Sequence, residues 1–165
     1  MNLELHTAPI NPRLFRLNSK LFWRNSNLAW GYYHLNNEWL LIYLCLHLAL
    51  HHAIPPRLIS LVDIYTLLRT QPLDWDAIAQ FATAYRLWNP ILFVLQLVRH
   101  FWAIDFPMVV QERMWKPVWF EALIPQLTDV ALNVPGNSKH LFYRQYWLQV
   151  FMQPNWQALL RRIVS

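Results

Sequence analysis

Apolar residues recur every three or four positions over most of this chain, which is the period of helices with one face turned inward. Leu14, Leu17, Leu21 and Phe22 predict a helix over Arg13 to Arg24, ended by Asn25-Ser26-Asn27. Trp30 to Leu35 reads as an extended connector. Asn36 or Asn37 caps a helix running to about Ala53, with Glu38 in the first turn facing the positive end of the helix dipole. Pro55-Pro56 cannot continue that helix and suit the entry of the next, Arg57 to Arg69. Pro72-Leu73-Asp74 is a turn, and Asp74 is a good cap for a helix over Trp75 to Arg86. Asn89-Pro90 opens another, carried by Leu92, Leu95 and Val98 to about Ala103 and closed by Asp105-Phe106-Pro107. Further helices are expected over about Lys116 to Leu132, kinked at Pro125, over Lys139 to Met152, and over Asn155 to Ile163. Only Leu3 to Leu5, apolar-acidic-apolar, suits a strand, and Thr7 to Pro12 is a turn. The expectation is a mainly α, orthogonal multi-helix domain with at most one short N-terminal strand.

Composition agrees with that pattern and narrows it. Two glycines against eleven prolines disfavour hairpin-rich folds and phosphate-cradling loops. Hydrophobic residues make up 56% and charged residues 14% of 165 residues, enough for one domain with a real core. The net charge of +5 arises from few acids rather than many bases; the nearest approach to a basic block is Arg161-Arg162. On that ground no nucleic-acid partner is expected. Cys45, the single cysteine, excludes an internal disulfide and a thiolate zinc cluster, and within an apolar helix it reads as a buried small hydrophobe. No secretory signal is visible at the start, and the longest apolar run, Trp39 to Leu50, is too short to span a bilayer. A cytoplasmic protein is expected.

The polar residues with chemistry to offer lie between Glu38 and Trp75. His47 and His51 stand four apart on one helix face; Arg57 opens the next helix and Asp63 follows two turns on. Three readings are open. An imidazole holds Asp63 while Arg57 fastens the corner; the group lines a pocket; or His47, His51 and Asp63 ligate a metal. Leu48, Ala49 and Leu50 between the histidines exclude an HExxH general base. No serine has a nucleophile-elbow context, and no GxGxxG or Walker loop occurs. The aromatic tail (Trp115, Trp119, Phe120, Phe142, Tyr143, Tyr146, Trp147, Phe151, Trp156) is either core or a partner-binding patch.

Leu44-Cys45-Leu46-His47, His51, Arg57-Leu58, Leu61, Asp63-Ile64, Leu67-Leu68 and Asp74-Trp75 together resemble the helical C-terminal half of the uncharacterised nucleotidyltransferase family, in the polymerase-β-like superfamily. The resemblance is good from about Leu35 to Pro107. Upstream, Leu3-Glu4-Leu5-His6 resembles the family strand whose acid can be the third of three metal-holding carboxylates, so Glu4 is the one catalytic candidate carried over. The family implies an NTP substrate and Mg²⁺, because two Mg²⁺ ions bridge the triphosphate and activate the attacking hydroxyl. It also implies a glycine-bearing turn and a D-x-D strand ahead of Glu4, neither of which is in this chain. Residues 1–12 are then the remnant strand and turn of a catalytic core, 13–107 the family-like helical domain, and 108–165 a helical extension packed on it. The expectation is a chain that is inactive and binds no Mg²⁺ alone, being truncated or one part of a split enzyme with a separate catalytic half. His47, His51, Arg57 and Asp63 would line or brace its pocket. The alternative is a non-enzymatic helical module binding a protein partner.

Overall fold

The computed structural model describes Leu17 and residues 19–29, 31–51 and 58–114. The expected strand at Leu3 to Leu5, the three expected helices beyond residue 115 and the aromatic tail lie outside them.

Six helices and one two-stranded ribbon are seen among these residues, so the mainly α expectation holds. The first helix, α1 (Ser19–Arg24), is shorter than the apolar spacing suggests, because Leu17 lies before the helix although its side chain is buried. It ends where expected. The Asn25 side chain donates to the Leu21 carbonyl at 2.8 Å, and the Ser26 hydroxyl donates to the Trp23 carbonyl at 2.8 Å, so both occupy carbonyls the helix leaves open.

The expected connector before the second helix is instead half of a β-hairpin, β1 (Ser26–Ala29) and β2 (Tyr32–Leu35). The strands pair antiparallel, with Leu28 opposite Tyr33 and Ser26 opposite Leu35. Gly31 turns the chain at φ +85°, a conformation open to glycine and costly for a side chain. The amide of Asn36 donates to the Asn25 carbonyl at 3.0 Å and closes the base of the ribbon.

Asn36 then caps α2 (Asn37–His51), its side-chain oxygen accepting from the Trp39 amide at 3.0 Å. The next three helices are α3 (Leu58–Thr70), α4 (Trp75–Ala84) and α5 (Trp88–Trp102), each within about two residues of its expected bounds. Asp74 caps α4 as expected, one carboxylate oxygen accepting from the amides of Asp76 and Ala77, both at 3.0 Å. Asp74→Ala should lower stability by about 1 kcal/mol in a urea melt, whereas Asp74→Ser should retain most of it. Equal midpoints for Asp74→Ala and the native chain would remove the cap from this account.

At the end of α4, Arg86 takes a left-handed conformation and the Leu87 amide reaches back to the Ala82 carbonyl at 2.7 Å. This closing turn directs the chain straight into α5. Pro90 sits in the first turn of α5, where a missing amide costs nothing. Ala103, also left-handed, ends that helix. A single turn, α6 (Met108–Gln111), follows and packs on α4, with Val110 buried in the common core.

The centre of the fold is α5 against α2. Every residue from Pro90 to Val98 is buried, and α2 buries Trp39, Leu41, Ile42, Cys45, Leu46, Leu48 and Ala49. α5 is covered on every side from Pro90 to Val98, whereas α2 keeps a half-buried face along Leu40, Tyr43, Leu44, His47 and Leu50. α3 contributes the stripe Leu61, Ile64 and Leu67, and α4 contributes Ile78 and Ala82. Rings close the corners: Phe22 and Phe81 approach Trp39 edge-on at 5.1 and 4.8 Å, and Tyr65 stacks on Trp102 at 4.9 Å.

Candidate functional site

The hairpin of α2 and α3 carries the polar residues the sequence singled out. His47 is half-buried on α2 and stacks on Tyr43, one turn earlier, at 5.7 Å and 24°. Flat stacking at i and i+4 holds the imidazole against the helix surface. Cys45, between them in sequence, faces the other way and is fully buried. Burial pushes its thiol well above the ordinary range, since the charged thiolate would have no solvation there. A maleimide should therefore label Cys45 only as fast as the whole domain opens, with the rate rising along the urea unfolding curve. Rapid labelling in native buffer would show that the α2 core is open.

The inward line of α3 is Leu61, Ile64 and Leu67, and Asp63 falls off that line onto the exposed surface. His51 is the last residue of α2; its side chain, like Arg57 and Glu4, lies outside the described residues. Among the described residues no three His, Cys, Asp or Glu side chains come together as a metal site. The only D-x-D of the sequence, Asp74-Trp75-Asp76, sits at a helix start. One carboxylate oxygen of Asp74 accepts from two amides in capping α4, so the pair opens a helix rather than lying on a strand.

What the structure adds is a polar clasp at the start of α2. The Glu38 carboxylate accepts from the Asp74 amide at 3.0 Å. The Asn37 side chain donates to the Gln71 side-chain oxygen at 3.5 Å and to the Pro72 carbonyl at 3.4 Å. The first turn of α2 thus grips the link between α3 and α4, some thirty-five residues on, and fixes the α2–α3 hairpin against α4. An acid in the first turn of α2 was legible in the sequence; its partner was not, because nothing local marks a backbone amide in another turn.

These features define a mainly α domain whose α2–α3 hairpin carries one half-buried histidine, with an Asn-Glu clasp at the start of α2. The family model described as uncharacterised nucleotidyltransferase matches residues 1–103, and the chain belongs to that family. Its placement in the polymerase-β-like superfamily is consistent with that description. No curated protein and no solved structure matches the chain. Among the described residues, no helix is long and apolar enough to cross a membrane.

Proposed function

We propose that residues 1–165 supply the helical part of a nucleotidyltransferase whose D-x-D carboxylates come from outside these residues. The single observation that carries this reading is the use made of Asp74. Its carboxylate caps α4 through two backbone amides, which supports a structural role for the one D-x-D in the sequence. In this reading the α2–α3 hairpin, with His47, His51, Arg57 and Asp63, shapes or braces the pocket for the NTP or its acceptor. Glu4 is a third metal carboxylate only when the other two are supplied. Alone, the chain seats no Mg²⁺ and performs no transfer.

Calorimetric titration with Mg-ATP and Mg-CTP tests the proposal. The 165-residue chain alone should give no binding heat. Adding the D-x-D half of an intact family member should bring binding, and Glu4→Ala should abolish it. Binding by the chain alone that disappears in Glu4→Ala would overturn the proposal.

A further inference from the structure

A second surface, immediately before α2 in the sequence, is built by α1 and the β-ribbon. Lys20, Trp23 and Arg24 stand at i, i+3 and i+4, so they share the outward face of α1 while Leu21 and Phe22 turn to the core. All three are exposed, and Trp23 is 65% accessible. Its ring meets Tyr33 of β2 edge-on at 5.9 Å. Tyr33 lies directly opposite Leu28 in the ribbon, and these two are 61% and 64% accessible. Two open aromatic rings, an open leucine and two cations thus form one contiguous patch.

The charges of its own residues are all of one sign. From His6 on, the sequence holds no acid until Glu38, and that carboxylate is engaged by the Asp74 amide. Over the same stretch it holds Arg13, Arg16, Lys20 and Arg24. An apolar protein partner would satisfy the rings and leave the cations without counter-charges. An acidic peptide would satisfy the cations and leave the ring faces uncovered. A single-stranded nucleic acid satisfies both, because each nucleotide pairs a flat base with a phosphate. In a duplex the base faces are already stacked on one another.

We propose that the α1–ribbon patch binds single-stranded nucleic acid, with bases stacking on Trp23 and Tyr33 and phosphates held by Lys20 and Arg24. No basic block in the sequence marks this patch. The fold makes the patch by placing three residues of one helical turn beside one strand. The proposal does not depend on transferase activity.

Fluorescence anisotropy with labelled 12-nucleotide oligo(U) and oligo(dT), at low salt and without NTP or Mg²⁺, tests it. Both strands should bind. Trp23→Ala and Tyr33→Ala should each weaken binding roughly tenfold. The Lys20→Ala/Arg24→Ala variant should flatten the slope of log K against log salt by about 1.4, as two lost phosphate contacts require. Arg69→Ala, a cation removed from α3, should leave binding and slope unchanged. Thermal melts by circular dichroism show that each variant is folded, as expected for exposed positions. No binding, equal binding by Trp23→Ala and Tyr33→Ala, or equal competition by duplex or polyglutamate would each overturn the proposal. Failure here leaves the Mg-NTP titrations untouched, because those use no oligonucleotide.

Discussion

Trp39→Ala should cost roughly 3–5 kcal/mol, a large part of the margin of an ordinary domain. Trp39 is wholly buried at the first turn of α2, where α1 and α4 converge on it. Truncation removes the edge-on contacts with Phe22 at 5.1 Å and Phe81 at 4.8 Å, each contributing about 0.5–1.5 kcal/mol beyond its buried area. It also opens a cavity that three separate elements would have to collapse to fill. Trp39→Phe should behave differently. The indole Nε1 is buried with no hydrogen-bond partner, a condition that costs about 1–3 kcal/mol. Phenylalanine keeps a ring in the cluster and removes that orphaned donor, so it should lose less than half as much as alanine. Urea midpoints at constant slope separate the two. A Trp39→Phe variant as unstable as Trp39→Ala would mean that the indole nitrogen is satisfied after all.

The second large effect is expected in the middle of α5. Val94 has no solvent access, and the residues on both sides of it are buried too. Val94→Asp places a carboxylate in the buried core of α5, at a cost of several kcal/mol. Because burial raises the carboxyl pKa in the folded state, folding favours the protonated form. The penalty should be smallest below the unfolded pKa of about 4 and should grow as pH rises, by up to about 1.4 kcal/mol per pH unit, until the folded pKa is passed. Val94→Asn, nearly the same in shape but without a charge, controls for size and polarity and should lack this pH dependence. The readout is the difference between the two variants from pH 4 to 8. Parallel stabilities across that range would show that residue 94 reaches solvent.

The helices of this domain were legible because their signals are local. Asn36 and Asp74 cap by reaching two or three residues along their own chain, and Pro90 falls where a first turn tolerates it. The ribbon was not legible. Its strands are four residues each, and β2 exposes Tyr32, Tyr33 and His34 in succession, so no alternation of buried and open positions marks it. Its one strong signal is Gly31, in a sequence whose scarcity of glycine argued against hairpins. Asp63 teaches a narrower lesson. Its exposure follows from its spacing relative to Leu61, Ile64 and Leu67, which places it off the inward stripe of α3. The pairing of His47 with Tyr43 was available from their i, i+4 spacing.

The burial of α5 also sets a clock on the molecule. With Ile91 to Val98 enclosed, their amide protons have no route to solvent through fraying of one edge. They must wait for the whole helical assembly to come apart, so their exchange with deuterium reads the global unfolding free energy directly. The amides of α1 and the ribbon, under exposed rings, should exchange through smaller openings that leave α5 closed. One exchange experiment would therefore divide the chain into a slow interior and a fast rim, and the rim would contain Trp23 and Tyr33.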